Sequence, residues 1–544
     1  MTNGKVLLIG AEDEENLAIR YLGGVLVSEG HQIKISPCSR QDQIKLVLED
    51  IREFQPDLIG VSIAFQSLAK MFFELIKRIK KINPTVHITV GGHFPTFEYE
   101  KILINIPEID SVVRFEGEKA ITSLIKSILL NVGLSKVPNL VYRENGKIKE
   151  NSCKNEFPDL DELPFPIRSD NPQIRLGENF ATLIASRGCF HSSCLYCCIG
   201  AFHSKKIGCK YALRSPESIA NEIFELYNKR KVRLFQFHDD NFMLPNKKDS
   251  LRRFKEIKNA IQNRGININK IAFLIKARPD SIDEKIAEIL KELGVVGVFL
   301  GVENASESGL KALIRGSYLN DIKNAIKILK EKEISVTFNL LIFHPSATLE
   351  EIKENINFME NYKDFALDFG RAEIVAGSPL ERLVKQQGIL RGNWPNWDYK
   401  IKDEKVDKMF IMNKESFRKK DSSYSRVAHH LIALVYHAYV VKRIYPGDSS
   451  KELLVKVNNL IKKFNEYIIK KLLEIYELAK NNKKFDSLEE FNKDLEKNCI
   501  NIIEESKKLT KKLQRLQLIE KKFEVMGLQE SPQNIKLITK ILRI

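Results

Sequence analysis

Over roughly the first 395 residues, strand-length apolar runs alternate with amphipathic helical runs, and this alternation leaves few architectures open. Lys5 to Ile9 (KVLLI), Gln32 to Ile35, Leu58 to Ile63 (LIGVSI) and His87 to Val90 read as strands. Between them, Ile44, Val47, Leu48 and Ile51, and then Phe72, Leu75, Ile76 and Ile79, recur at helical spacing. Strands separated by helices pair in parallel, because a parallel pair needs a long crossover. The expected fold class is therefore α/β, with residues 1–150 forming a doubly wound, Rossmann-like sheet. Such sheets bind ligands at the carboxyl ends of their strands. Here those ends carry Gly10-Ala11-Glu12, Ser62 to Phe65, Gly91-Gly92-His93-Phe94 and Arg114 to Glu118. Glycine at such a position lets the backbone approach a ligand closely.

The alternation breaks once. Phe157 to Ile167 (FPDLDELPFPI) carries Pro158, Pro164 and Pro166 with little periodicity, so residues 151–178 read as a linker. It resumes with Phe180 to Ala185, followed by strands at Leu234 to Phe237, Ile271 to Ile275, Val296 to Leu300, Val336 to Ile342 and, sixth, near Phe369 to Ile374. Helical runs lie between them. Six such units over residues 179–397 fit a partial (βα)6 barrel of the TIM type, whose working residues sit at the carboxyl ends of the strands. Residues 398–544 change character. Val427 to Ile444, Leu453 to Leu478 and Leu488 to Phe523 read as helices of an all-α region that closes over a substrate, binds a partner or covers the barrel. His429, His430 and His437 on one of these helices read as core or solvated histidines.

The first barrel strand runs into ASRGCFHSSCLYCCIG, which places Cys189, Cys194, Cys197 and Cys198 inside ten residues. Thiolates are soft ligands that select iron–sulfur clusters, zinc or copper(I). Adjacent cysteines rarely reach separate corners of one cluster, which leaves three ligands at C-x-x-x-x-C-x-x-C spacing. Three ligands on a four-iron cluster leave one iron open for chemistry. Ser186-Arg187-Gly188 is expected to turn the chain just before them. A structural zinc knuckle is the competing reading, but no second Cys/His pair follows at finger spacing.

With 43% apolar and 29% charged residues the chain reads as an ordinary globular protein. The net charge is +16, but the lysines are spread along the chain, which argues against a nucleic-acid surface. The start, MTNGKVLLIG, lacks the pattern of a secretory signal, and the longest apolar runs are too short to span a membrane. Eight cysteines in 544 residues do not make a disulfide framework. A cytoplasmic protein with reduced thiols is expected.

The succession SRGC…C…C, DDNF, KARPD, LGVEN, FNLLIFHP and AEIVAGSPL, preceded by S-I-A, GGH and RFEGE, resembles the cobalamin-binding subclass of radical S-adenosylmethionine (SAM) enzymes. The resemblance covers about three-quarters of the chain. It implies a [4Fe-4S] cluster on Cys189, Cys194 and Cys197, with Tyr196 as the aromatic residue before the third ligand. The family spacing has three residues between the first two cysteines, and this chain has four. For SAM, the resemblance implies Asp239 and Asp240 at its amine, Arg278 at a polar position facing it, Glu303 near its ribose or carboxylate, and Phe343 and Pro345 on the adenine side. For cobalamin, it implies Ser62, Gly91, Gly92, His93, Glu116, Gly117 and Glu118. The D-x-H-x-x-G motif is absent, so cobalt is expected to lack a histidine from it, and His93 either lies near the corrin or only shapes the Gly-Gly loop.

The chemistry so implied is reductive cleavage of SAM to a 5′-deoxyadenosyl radical. It most often serves methylation of an unactivated carbon in a natural product or peptide. An external electron donor such as flavodoxin or ferredoxin is implied. The same architecture supports cyclisation and rearrangement. A tRNA methylthiolase needs a second cluster, and only Cys38 precedes the linker. A sensor with a dead barrel is the non-enzyme reading.

Overall fold

The structure, a computed structural model, describes residues 3–153, 156–204, 210–419 and 422–526, together with 533, 535, 537, 538 and 540. The chain opens with β1 (Lys5–Gly10), α1 (Leu17–Ser28), β2 (Gln32–Pro37), α2 (Ile44–Phe54), β3 (Leu58–Ser62), α3 (Ala69–Ile82), β4 (His87–Gly91), α4 (His93–Asn105), β5 (Ser111–Val113) and α5 (Glu118–Leu129). A hairpin follows, β6 (Leu140–Glu144) and β7 (Lys147–Glu150), turned on Asn145-Gly146, both with positive φ. Asn-Gly favours the turn whose twist matches a hairpin. Next come β8 (Gln173–Arg175), β9 (Glu178–Leu183), β10 (Ser186–Gly188), α6 (Ile199–Ser204), β11 (Tyr211–Leu213), α7 (Pro216–Arg230), β12 (Leu234–Phe237), α8 (Lys247–Asn263), β13 (Ala272–Ala277), α9 (Glu284–Leu293) and β14 (Val295–Leu300). After them lie α10 (Glu307–Ala312), α11 (Leu319–Glu331), β15 (Ser335–Phe343), α12 (Leu349–Asn361), β16 (Ala366–Arg371), α13 (Pro379–Gln386), β17 (Leu390–Asn393) and β18 (Asn396–Tyr399). Four helices follow: α14 (Glu404–Ser416), α15 (Ser423–Ile444), α16 (Asp448–Lys480) and α17 (Leu488–Met526).

Packing divides the chain into two compact units. One comprises Met1–Asn171, Thr182–Glu222 and Glu373–Tyr399; the other comprises Pro172–Ala181, Ile223–Ala372 and Lys400–Ile544.

The first unit is built on a sheet of order β2-β1-β3-β4-β5-β6-β7, parallel from β2 to β5. Successive strand residues face opposite sides, and both sides are covered. Leu7, Ile9, Ile59, Val61, Ile88 and Val90 meet Val47, Phe72, Ile76 and Ile102 of α2, α3 and α4. Val6, Leu8 and Leu58 meet Ile19 and Leu26 of α1 and Ile121, Leu124 and Ile125 of α5. Burial on both faces explains why the strands read as continuous apolar runs. This is the doubly wound sheet expected from the alternation.

The second unit is built on a sheet of order β16-β15-β14-β13-β12-β9-β8, with β12 to β16 parallel and β8 antiparallel to β9. Six strands, β9 and β12 to β16, form the open partial barrel, and the edges of the whole sheet are β8 and β16. The C-terminal helices belong to this unit, and α15 covers the sheet. Val440, Ile444 and Tyr445 pack on Phe180, Leu234, Ala272 and Val296, all near the amino ends of their strands. The Tyr436 ring leaves no room for a side chain at Gly297, where a Cβ would come within 2.5 Å. Covering the barrel was one of the three roles open to the helical region, and α15 does cover it. No helix among the described residues is long and apolar enough to cross a membrane.

Two local expectations are corrected. Ser186-Arg187-Gly188 is not a turn but strand β10, paired antiparallel with β11 (Ser186↔Leu213, Gly188↔Tyr211); its partner lies more than twenty residues on, beyond local reading. The sixth barrel strand is centred earlier than expected, because Thr337 to Phe343 of β15 pair with Ala366 to Arg371 and fix its register.

His437 is buried on α15, where its Nε2 lies 2.8 Å from Gln517 Oε1. Burial, which outweighs the Gln517 contact, pushes its pKa down from 6.5 to about 4. The neutral ring is therefore the folded form, and stability from this site is complete above pH 6.5 and lost as pH falls toward 4. The loss is on the order of 3 kcal/mol across that window. Urea unfolding at pH 7, 5.5 and 4.5 should show a steeper acid loss for the natural protein than for His437→Gln; equal slopes would rule this site out as the cause.

Candidate functional site

In the first unit the loops at the carboxyl ends of β3, β4 and β5 are shaped by close backbone contacts. Gly92 has φ +108°, and a Cβ there would lie 3.1 Å from the Ile63 carbonyl, so only glycine fits without strain. Gly91 pairs with Ser62 across β3 and β4, and its carbonyl accepts from Ile63 N at 2.8 Å. Thr96, which sequence reasoning missed, clasps two loops. Its hydroxyl donates to Gly92 O at 2.8 Å and accepts from Phe115 N at 3.0 Å. Phe115 itself has φ +60°, so the turn into Glu116-Gly117-Glu118 is held by this clasp. His93 opens α4, and its ring meets Phe202 edge-on at 4.7 Å.

The cysteine loop belongs to the same unit. Gly188 (φ +88°) brings the chain against the Lys210 carbonyl, 2.4 Å from where a Cβ would sit. Cys189 Sγ lies 3.5 Å from His191 O, and Cys197 N donates to Cys194 O at 3.2 Å. Cys194 is buried; Cys189, Tyr196, Cys197 and Cys198 are half-buried. Gly200 is required sterically, since a Cβ would meet the Ser192 carbonyl oxygen at 1.9 Å. Leu380 N donates to Leu195 O at 2.8 Å, tying the loop to the start of α13. Among the described residues no three His, Cys, Asp or Glu side chains are grouped to hold one metal ion. The chemistry of the donor set suits an iron–sulfur cluster, which takes one cysteine per iron: three thiols stand within nine residues.

Charge fixes the loop's approach. The Arg187 guanidinium lies 2.7 Å from both Glu116 Oε2 and Glu118 Oε1. Burial works against its charge, but the two carboxylates outweigh burial and hold its pKa above the ordinary value. Nearby, Glu12, Arg20, Glu15, Arg168, Glu222 and Arg214 form a buried chain of ion pairs. Glu222 accepts from Arg168 and Arg214, each at 2.6 Å. Glu15 also accepts from Thr182 N of β9 at 3.1 Å.

In the second unit the expected SAM residues lie at the carboxyl ends of β12 to β15. Asp239 is buried and Asp240 exposed. Arg278 grips Asp280 with two nitrogens at 3.0 and 3.1 Å and donates to Arg315 O at 2.9 Å, and its buried Nη1 has no hydrogen-bond partner among the described residues. Glu303 has φ +64°, an uncommon conformation for a non-glycine residue, and such strain clusters at functional sites. It is held there from β15: Glu303 N donates to Asn339 O, and Leu341 N donates to Glu303 O. Asn304, buried beside it, donates to Glu351 Oε1 at 3.0 Å, and His344 Nε2 meets that oxygen at 2.6 Å. This network fixes the ends of β14 and β15, and only the folded chain reveals Glu351 as its hub. Phe343 is fully buried against Phe410, at 5.4 Å between ring centroids, and Pro345 is buried, its carbonyl accepting from Lys402 N at 2.9 Å.

Residues 6–125 match the family model of the B12 binding domain, and residues 183–359 that of the radical SAM superfamily. An uncharacterized methyltransferase of Pyrococcus horikoshii is 28% identical over 386 residues, 70% of this chain and 80% of that protein. The anaerobic magnesium-protoporphyrin IX monomethyl ester cyclase of Synechocystis is 28% identical over 344 residues, 58% of this chain and 62% of its own. Among solved structures, the cobalamin-dependent SAM radical enzyme OxsB with aqua-cobalamin bound superposes with TM-score 0.63 at 18% identity, covering 99% of this chain and 83% of its own. The radical SAM methyltransferase TsrM from Kitasatospora setae superposes with TM-score 0.60 at 18% identity, covering 72% and 79%. The expected fold class is the one found, with a B12-binding domain ahead of a radical SAM domain, and the chain belongs to the cobalamin-dependent radical SAM enzymes.

Proposed function

We propose that this enzyme methylates an unactivated carbon of a small natural product or a peptide. The reading is carried by a B12-binding domain ahead of a radical SAM domain, in a chain that matches four-fifths of a relative named as a methyltransferase. When bound, the iron–sulfur cluster reduces and cleaves SAM, and cobalamin carries the methyl group to be transferred. Cys189, Cys194 and Cys197 hold the cluster. Asp239, the backbone of Glu303 and the Phe343–Pro345 segment shape the SAM pocket; Asp240, being exposed, contributes charge at its rim. Arg278 orients the turn after β13 through Asp280 and keeps one free donor for the ligand. Ser62, Gly91 and Gly92 seat the corrin face, Glu116, Gly117 and Glu118 border it, and His93 shapes the Gly-Gly loop through Phe202. The electron donor is an acidic flavodoxin or ferredoxin, to which the net charge of +16 is complementary, and the working place is the cytoplasm.

Cyclisation is the second reading, because cyclases are also among the relatives. Product analysis separates the two. A carbon methyltransferase uses SAM twice per cycle, so 5′-deoxyadenosine and S-adenosylhomocysteine should form in about equal amounts, and the substrate should gain a methyl group. 5′-Deoxyadenosine without matching S-adenosylhomocysteine would reject methylation and favour cyclisation.

A further inference from the structure

The cysteine loop is anchored at both ends on loops of the N-terminal sheet. Two residues before Cys189, Arg187 bridges Glu116 and Glu118, each at 2.7 Å. Four residues after Cys198, Phe202 packs on His93, Phe97 and Phe115, with ring centroids 4.7, 6.3 and 5.3 Å apart. The residues that touch the loop's flanks therefore lie in the strand-end loops and in the first turns of the helices that follow them, where a doubly wound sheet binds its ligands.

We infer that Arg187 is a positioning residue that couples the two cofactor sites, so that cobalamin at these strand ends and the cluster on the cysteine loop each tighten the binding of the other. One guanidinium bridges the two carboxylates in a largely buried place. Glu118 Oε2 is buried and has no hydrogen-bond partner among the described residues. A buried carboxylate oxygen without a donor is costly, and a ligand that donates to it relieves the cost. The periphery of a corrin carries amide N–H groups able to do so. Such a donor favours Glu118 in the position where its other oxygen holds Arg187. Arg187 in turn fixes β10, and β10 runs directly into Cys189. The cluster acts in the opposite direction: a loop ordered by its iron holds Arg187 in place and thereby the carboxylate turn. Coupling of this kind is reciprocal by thermodynamic necessity.

The inference rests on the two cofactor domains and not on which reaction they run, so its test involves no turnover. Hydroxocobalamin is titrated by absorbance into full-length protein, anoxically, with and without reconstituted cluster. In the natural protein the cluster should tighten corrin binding about tenfold. In Arg187→Gln the two affinities should agree within about twofold, while Arg187→Lys should keep part of the difference, because a single ammonium pairs less completely than a forked guanidinium. The reciprocal reading is the rate of iron loss to a chelator, which cobalamin should slow in the natural protein and not in Arg187→Gln. Glu118→Gln keeps the shape and removes the charge; it should lose the coupling too, and it decides the matter if Arg187→Gln fails to fold. Equal corrin affinity with and without cluster in the natural protein, or an undiminished difference in Arg187→Gln or Glu118→Gln, would overturn the inference. A merely structural role for Arg187 would lower the melting temperature and leave the ratio of affinities intact.

Discussion

Alanine at Cys189, Cys194 or Cys197 should drop bound iron, after anoxic reconstitution, from about four per chain to near zero, and with it all cleavage of SAM. Alanine at Cys198 should keep both. A cluster held by three thiolates has no spare ligand, so each loss removes a whole corner rather than a fraction of the affinity. The geometry separates Cys198 from the other three. Its carbonyl accepts Phe202 N at 2.8 Å and so begins α6, whereas Cys194 and Cys197 close a turn on one another ahead of that helix. Between Cys189 and Cys194, Ser192 approaches Gly200 more closely than any side chain there would allow. Iron and 5′-deoxyadenosine, measured on the same preparations, read the two properties independently. Full iron in Cys194→Ala together with loss in Cys198→Ala would move the second ligand and refute this assignment.

The second large effect concerns stability. Glu222→Ala should destabilise the protein by about 3–5 kcal/mol, because it leaves two buried guanidiniums without their shared carboxylate. Arg214 and Glu222 are 1% and 2% exposed, and Arg168 is 9% exposed. Burial alone would lower the pKa of Arg168, and it is raised because the Glu222 and Glu15 carboxylates outweigh burial; removing Glu222 reverses that balance. The same substitution at Glu74, whose pair with Arg78 is half exposed, should change little, since exposed pairs contribute little. Urea unfolding of both variants checks the contrast. A loss at Glu222 no larger than that at Glu74 would show that solvent, not Glu222, satisfies these arginines.

What was legible in the sequence was set by local chemistry. Continuous apolar runs at KVLLI, LIGVSI and VGVFL marked strands buried on both faces, and Phe72, Leu75, Ile76 and Ile79 marked one helix face at the right spacing. Four cysteines in ten residues marked a thiol-rich loop whatever the fold around it. The glycine pairs at strand ends announced close backbone approach, and Gly92 does have the positive φ that requires glycine. Other features depended on partners far along the chain. Arg187 read as part of a turn, because nothing nearby reveals that Glu116 and Glu118 will neutralise it or that Tyr211 to Leu213 will pair with its strand. Thr96, Glu351 and Glu222 are ordinary helix residues in sequence, and each becomes a hub once burial forces its polar atoms to find partners. His437, Gln517 and α15 likewise read as generic helix, since whether an amphipathic face covers a sheet or meets a partner is not written in its own spacing.

By itself, then, the sequence determined two doubly alternating α/β regions, a three-thiol loop after a strand, glycine-lined strand ends and a helical tail, because periodicity, turn chemistry and ligand spacing act over a few residues. Only the tertiary structure decided that the cysteine loop packs with the N-terminal sheet through Arg187 and Phe202, that buried carboxylates and arginines pair across that unit, and that α15 covers the amino ends of the barrel strands. The physical reason is that burying a charge or an apolar face is costly until a complementary group arrives, and in this chain the complementary groups stand tens to hundreds of residues away.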